Sequence, residues 1–107
     1  MPAPPELEGF QRKHLRVLAH RQKPVVEVGA AGISAAVQSA LDRALLDHEL
    51  VKVRLRQPEN KRAAAQTLAE GSGAALCGIV GHTVILYRPH PQSPEIELPR
   101  RSKTGSG

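Results

Sequence analysis

Aromatic side chains are almost absent from this sequence. Tryptophan does not occur, and Phe10 and Tyr87 are the single phenylalanine and tyrosine among 107 residues. The hydrophobic core must therefore be built from leucine, valine, isoleucine and alanine, and few rings are left for stacking on nucleobases. The hydrophobic fraction of 40% is enough for one modest core, so the length predicts a single domain.

Cysteine and long apolar runs are also scarce. Cys77 is the single cysteine, so no disulfide can form within the chain, which is consistent with a reducing cytoplasm. No apolar run approaches the roughly 20 residues that cross a bilayer. The first ten residues lack the basic and apolar segments of a secretory signal. We therefore expect a cytoplasmic, monomeric protein that does not enter a membrane.

Residue patterns typical of enzymes are missing as well. Cys77 lies in an apolar segment and is interpreted as a buried core residue. His48 and Glu49 lie where a helix gives way to a strand, which favours capping over acid–base chemistry. No histidine pair has the spacing of metal ligands, and neither a nucleotide-binding loop nor a Gly-x-Ser-x-Gly elbow occurs. We expect no catalytic residue, no metal and no cofactor.

What the sequence does have is positive charge. Fifteen lysines and arginines stand against ten acidic residues, which gives a formal net charge of +5. A small, strongly basic domain is a candidate for binding nucleic acid or an anionic membrane surface. Charge alone does not choose between these partners.

Hydrophobic periodicity predicts the element order α-β-α-β-α-β-β. Apolar residues recur at helical spacing from Leu7 to Leu18, a short β-branched strand spans 25–28, and a second helical stripe follows Ser34, a candidate cap. The stretch "ELVKVRLR" alternates as a strand does. Pro58 suits the first turn of a third helix, and two further strands surround a tight turn at Gly81.

This order predicts an α/β fold of the two-layer α+β type. Two strand–helix–strand units imply parallel pairing, and the final hairpin adds an antiparallel strand. The result is a four-stranded mixed sheet with helices mainly on one face. Lys52, Arg54 and Arg56 would lie on the other, partly exposed face, where Glu27 could pair with one of them. We expect a flexible N-terminus over 1–6, a domain over 7–89 and a flexible basic tail over 90–107.

The stretch "VVEVGAAGISAAV" places two glycines, Gly29 and Gly32, between a strand and a helix. A tight turn explains both glycines without a further assumption, and the motif alone favours that interpretation. The alternative is a phosphate site, because a glycine loop and a helix N-terminus together present backbone N–H groups to an anion. KH domains clamp a nucleic-acid backbone with this Gly-x-x-Gly spacing. Nearby basic residues favour the alternative: Lys23, Arg12, Arg16 and the cations of "KVRLR".

Three ordered stretches also resemble the YhbY family, the stand-alone bacterial form of the CRM (chloroplast RNA splicing and ribosome maturation) domain. They are "KPVVEVGAAGIS" at 23–34, "ALLDHELVKVRL" at 44–55 and "GHTVILYRP" at 81–89. The resemblance covers about residues 7–89. It implies a fold similar to the C-terminal domain of bacterial initiation factor three, with sheet order 1-2-4-3. It also implies an RNA-binding protein that associates with precursors of the large ribosomal subunit.

One feature of the loop departs from the family. Ala30 and Ala31 stand where relatives usually carry a polar or basic residue. Phosphate contact is therefore expected from backbone N–H groups, the helix terminus and nearby cations. The residues that we expect at the RNA interface are Gly29, Ala30, Ala31, Gly32, Lys23, Arg12, Arg16, Lys52, Arg54 and Arg88.

We therefore expect a non-enzymatic protein that binds ribosomal RNA and assists assembly of the large subunit. A translation-factor-like module that docks on ribosomes through protein is the first alternative. A general basic nucleic-acid binder is the second.

Overall fold

The computed structural model describes residues 4–100, and this part of the chain contains three helices and four strands in the predicted order. The elements are α1 (Gly9–Ala19), β1 (Val26–Val28), α2 (Ala35–His48), β2 (Leu50–Leu55), α3 (Lys61–Ser72), β3 (Ala75–Val80) and β4 (Thr83–Tyr87).

The four strands form one mixed sheet in the order β1-β2-β4-β3. β1 and β2 are parallel, with Val26 opposite Val53, whereas β4 is antiparallel to both of its neighbours. The fold class predicted from the sequence pattern and the sheet order implied by the family resemblance are therefore confirmed. Because β1 and β2 run the same way, the loops that follow them lie at the same end of the sheet.

Alternation along β2 decides which face of the sheet is buried by α2 and α3. Val51, Val53 and Leu55 are at most 2% exposed and pack with Leu41 and Leu45 of α2. Leu68 of α3 and Val84 and Leu86 of β4 complete this core. The in-between residues of β2 point to the opposite face, as the period of two requires.

The opposite face is covered in part by α1. Leu15 and Ala19 of α1 are fully buried against Leu50, Cys77, Ile85 and Tyr87. The predicted two-layer arrangement is thus extended by a partial third layer, because α1 needs an apolar partner and the β3–β4 side of the sheet provides one. The side formed by β1 and β2 stays open, and Arg54 and Arg56 are exposed there.

The starts of α2 and α3 test two predictions made from local sequence signals. The Ser34 hydroxyl accepts a hydrogen bond from the Val37 N–H at 3.2 Å, so the predicted cap of α2 is confirmed. The prediction that Pro58 lies in the first turn of α3 is wrong. Asn60 caps that helix instead, with its side-chain oxygen 3.0 Å from the Ala63 nitrogen. Asparagine at this position satisfies an N–H group that proline cannot.

The chain after β4 lies against the domain. Ile96 and Leu98 pack on the cluster under α1, and the Gln11 side chain donates to the Pro99 carbonyl at 3.2 Å. We call residues 90–99 the C-terminal strap. They belong to the region predicted as a flexible tail, whose last residues, 101–107, lie outside the described part of the chain. The predicted domain end at residue 89 thus leaves out residues that pack on the core.

Glu49 holds the strap. It is 4% exposed and its carboxylate accepts hydrogen bonds from the backbone N–H groups of His90, Glu95 and Ile96 at 2.6–3.0 Å. Burial alone would raise the pKa of Glu49. The three N–H groups and the neighbouring His90 side chain outweigh burial, so this pKa lies below its ordinary value.

Candidate nucleic-acid interface

The Gly-x-x-Gly loop, residues 29–32, joins β1 to α2 at one end of the sheet. The Gly32 N–H donates to the Gly29 carbonyl at 3.0 Å, which closes a tight turn. Gly32 has a φ of +86°, in the left-handed region that favours glycine. Ala30 and Ala31 are exposed at the tip. The fold itself therefore explains the second glycine of the motif.

The first glycine has no such explanation. Gly29 is not among the glycines with positive φ, and a Cβ added to it would meet no heavy atom within 4 Å. Neither backbone strain nor internal packing requires glycine at this position. A side chain there would instead project into the open space in front of the loop.

The N-terminus of α2 follows the loop directly. Its first turn contains no acidic residue, so the partial positive charge of the helix end is not offset by a side chain of that turn. The turn consists of small or apolar residues, Ala35, Ala36 and Val37, and its Val37 N–H is bonded to the Ser34 hydroxyl. A glycine loop followed by a helix N-terminus is an arrangement at which proteins commonly bind anions.

Arg54 of β2, and Arg56, which directly follows β2, lie beside this end of the sheet. Arg54 is directly opposite Glu27 in the parallel register. The Arg56 guanidinium lies 3.8 Å from the Glu27 carboxylate, with both side chains more than half exposed. The predicted pairing of Glu27 across the two strands is therefore confirmed. An exposed pair this long holds its arginine only weakly.

Lys52, Arg54 and Arg56 form a row on the open face of β2, which we call the basic strip. Alternate residues of a strand are roughly 7 Å apart. The Lys52 ammonium donates to the Gln22 carbonyl at 3.0 Å, and Lys23 lines the same shallow depression at this far end of β2. Within residues 4–100, Lys23 and Arg54 have neither a hydrogen-bonding nor an ion-pair partner on their side chains. The basic strip thus runs from Lys52 to Arg56 near the loop, and Lys23 lies beyond its far end.

Arg12 and Arg16, also expected at the interface, lie at the other edge of the sheet. The Arg12 guanidinium donates to the Leu7 carbonyl at 2.6 Å, and that of Arg16 donates to the Cys77 carbonyl at 2.8 Å. Gly78 makes room for this contact, since a Cβ there would lie 2.6 Å from Arg16 Cδ. β3 and β1 are opposite edges, so these arginines are not brought to the loop.

Arg88 is likewise separated from the loop. Its side chain is 14% exposed and donates to the Asp42 carboxylate at 2.8 Å, the Ser72 carbonyl at 2.7 Å and the Asp42 carbonyl at 3.1 Å. Arg88 therefore links the end of β4 to α2 and to the end of α3. Its charge is used within the protein.

A cleft lies beside the loop, and sequence patterns alone do not predict it. It encloses about 530 Å³ between the Gly-x-x-Gly loop and residues 55–60, which join β2 to α3. Gln57 has a φ of +50°, which is uncommon for a residue other than glycine. Parallel pairing of β1 and β2 could have indicated that the two loops meet, but the conformation of Gln57 has no local signal.

Two reactive side chains are buried away from this surface. Burial raises the pKa of the Cys77 thiol to about 12, although Arg16 and Arg12 act in the opposite direction. The interpretation of Cys77 as a core residue is confirmed. Tyr87 is 2% exposed, and burial raises its pKa with help from Glu49 and Cys77. Tyr87 is therefore a packing residue rather than a platform for a base.

Residues 4–100 contain neither a group of three potential metal ligands nor a helix that could span a membrane. No three histidine, cysteine or acidic side chains are grouped there so that they could hold a metal ion. Over the same range, none of the helices combines the length and the apolar character needed to span a membrane.

Comparison with known proteins identifies the family. The model of the CRS1/YhbY (CRM) domain family matches residues 7–88. The chain belongs to this family. Among its CRM-domain relatives is the "Probable RNA-binding protein YqeI" of Bacillus subtilis, 35% identical over 87% of this chain and 99% of the relative. A Haemophilus influenzae relative named "RNA-binding protein" is 34% identical over 85% of this chain and 93% of its own length.

A solved structure supports the same assignment. The solution structure of the protein SAV1595 from Staphylococcus aureus superimposes with a TM-score of 0.77 at 33% sequence identity. The match covers 88% of this chain and all of that protein. The CRM fold predicted from the three sequence motifs is thus confirmed by family, relatives and structure.

Proposed function

We propose that this CRM-domain protein binds RNA without catalysing a reaction, that ribosomal RNA of the large-subunit precursor is its target, and that it assists ribosome assembly. The observation that carries the proposal is Gly29, a glycine that the fold does not require, in the loop to which we assign a phosphate. The relatives named as RNA-binding proteins support RNA as the ligand. The ribosomal target follows from the resemblance to the stand-alone YhbY group.

In this proposal one phosphate lies against the backbone of residues 29–32 and the N-terminus of α2. No loop side chain takes part, because Ala30 and Ala31 have no polar group. Arg56 and Arg54 then contact the following phosphates, and Lys52 and Lys23 extend the contact along the open face. Binding of this kind is driven by release of counterions and weakens with salt.

The glycine at position 29 offers a direct test. Gly29→Ala adds one methyl group in open space, so its melting temperature should equal that of the parent protein. The same methyl group would stand between the loop and a phosphate, and affinity for a large-subunit precursor RNA fragment should fall about tenfold or more. Gly9→Ala is the matched control, since its Cβ would come no closer than 3.9 Å to the flexible end of Arg12. Equal RNA affinity of both variants would show that the loop is only a turn.

The RNA target is tested by crosslinking in cells followed by sequencing of the attached RNA. Reads concentrated on the precursor of large-subunit RNA would support the assembly role. Reads spread over cellular RNA would contradict it in favour of a general nucleic-acid binder. Crosslinks mainly to ribosomal proteins would favour a docking module.

A further inference from the structure

The cleft between the two loops has a composition that phosphate binding does not explain. It is lined on one side by the Gly-x-x-Gly loop and on the other by Arg56, Gln57, Pro58, Glu59 and Asn60. We propose that this cleft holds one nucleobase of the bound RNA, and that Gln57 and Glu59 bind the edge of that base. The inference rests on the proposed RNA-binding function and assigns it a specificity site.

The size and floor of the cleft suit a flat, partly apolar group. Its volume of about 530 Å³ lies within the usual range of small-molecule sites, roughly 300–1,000 Å³. Val28 and Leu55 form a buried floor, and Ile33, Pro58 and Ala64 add apolar surface. Extended backbone with its phosphates would leave these apolar groups without a partner, whereas the face of a base would cover them.

Arg56 supplies a surface for stacking. Proteins commonly stack unpaired RNA bases on aromatic rings or on the plane of an arginine guanidinium. Among the residues that line this cleft, no aromatic ring is present, and Arg56 contributes the one guanidinium. Its 3.8 Å contact with Glu27 is exposed, so the guanidinium can turn over a base at small cost.

Glu59 is the residue that distinguishes a base from a phosphate. Glu59 is exposed and lines the cleft, and within residues 4–100 its carboxylate has neither a hydrogen-bonding nor an ion-pair partner. A carboxylate repels phosphate but accepts hydrogen bonds from exocyclic amino groups, such as N4 of cytosine. An acidic group beside a phosphate loop is therefore suited to a base that carries an amino group.

Gln57 presents a second polar group at the same rim. Its left-handed backbone, with φ of +50°, is the kind of sparsely populated conformation that occurs preferentially at functional sites. Its amide can donate to and accept from a base edge. The neighbouring Asn60 is not available in the same way, because its side-chain oxygen caps α3 through Ala63.

The experiment measures binding of short oligo(C), oligo(A) and oligo(U) RNAs to the full chain at one salt concentration. Cytosine and adenine carry an amino group and uracil does not, so oligo(C) and oligo(A) should bind roughly fivefold or more tightly than oligo(U). Glu59→Ala should remove this preference while oligo(U) binds as well or better. Gln57→Gly, which keeps a favourable backbone, should reduce the preference too.

Glu97→Gln is the control for charge, because it removes one exposed carboxylate outside the set of residues that line the cleft. It should strengthen binding of all three RNAs by the same factor. Equal strengthening of all three RNAs by Glu59→Ala, or equal binding of the three RNAs by the parent protein, would overturn the base site and leave RNA binding intact. Failure of the parent protein to bind any of them would instead overturn the proposed function.

Discussion

The Oε1 atom of Glu49 lies 2.9 Å from the backbone nitrogen of Ile96, 47 positions further along the chain. Glu49 also has a φ of +65°, so it stays in an unfavourable conformation at the end of α2. Its carboxylate offsets that cost by binding three N–H groups of the C-terminal strap. One side chain therefore joins the second helix to the end of the described chain.

Glu49→Gln should lower the free energy of unfolding by about 1–3 kcal/mol, because a buried charged acceptor is replaced by a neutral one. Chemical denaturation measures this difference. Glu95→Gln is the matched control, since only the backbone of Glu95 takes part in the contact. If both variants unfold at the same denaturant concentration, Glu49 does not anchor the strap.

The contribution of Glu49 should also depend on pH. Its pKa is held below the ordinary value of 4.5, so its stabilising effect is complete well above that value. The effect is lost as the pH falls from 4.5 through the lower pKa of the folded state. The stability difference between the parent protein and Glu49→Gln should thus be constant near neutral pH and shrink in acid. A difference that grows in acid would contradict the assignment.

The sign of the charge at the loop tip should decide RNA affinity. Ala30→Asp places a negative charge beside the expected phosphate, and Ala30→Lys places a positive one. A nearby charge contributes about 1 kcal/mol in water, so we expect roughly fivefold weaker and fivefold stronger binding respectively. Thermal melting should change little, because Ala30 is exposed. Equal binding by both variants would place the RNA surface elsewhere.

The basic strip should contribute to binding and not to folding. Lys52→Ala combined with Arg54→Ala should reduce the slope of log affinity against log salt by roughly 0.7–0.9 for each phosphate that the variant no longer neutralises. The melting temperature should fall only slightly, since Arg54 is exposed and Lys52 loses one exposed hydrogen bond to the Gln22 carbonyl. Unfolding of the double variant would contradict the assignment of the open face.

Arg88→Ala should affect folding and not RNA binding, the reverse of the change in the basic strip. Removing the guanidinium leaves the Ser72 carbonyl without its donor and breaks the contact with Asp42. The free energy of unfolding should fall by about 1–3 kcal/mol. The salt dependence of RNA binding, measured where the variant is folded, should equal that of the parent protein. A reduced slope would restore Arg88 to the RNA interface.

Local patterns predict most of the fold. Strict alternation over β2 identifies its buried face, and the Ser34 cap and the turn at Gly81 depend on neighbours in the chain. The sequence places the start of the third helix too early because Pro58 is a good start signal, whereas the helix is capped by Asn60. The side of the sheet on which α1 packs is not predictable in this way, because periodicity shows that a helix has an apolar face but not what covers it.

The candidate site also has parts that the sequence predicts and parts that it does not. The Gly-x-x-Gly loop and the basic strip each lie within one short segment of the sequence. Their geometry therefore follows from the turn and the strand in which they lie. Arg12, Arg16 and Arg88 are assigned to the interface by charge alone. Arg16 and Arg88 donate to carbonyls distant in sequence, and Arg12 donates to the Leu7 carbonyl just before its own helix; composition reveals none of these contacts. The cleft at Gln57 is not predicted from sequence patterns, because it forms where the Gly-x-x-Gly loop meets the loop between β2 and α3.

The strap matters to anyone who shortens this protein for experiments. The family match ends at residue 88, which invites a truncated gene that stops there. The truncated protein would lack Ile96 and Leu98, which pack against the cluster that contains Tyr87 and Ile85. It would also leave the Glu49 carboxylate in a pocket without its three donors. If that fragment is poorly soluble, the cause is the removal of the strap and not a property of the intact domain.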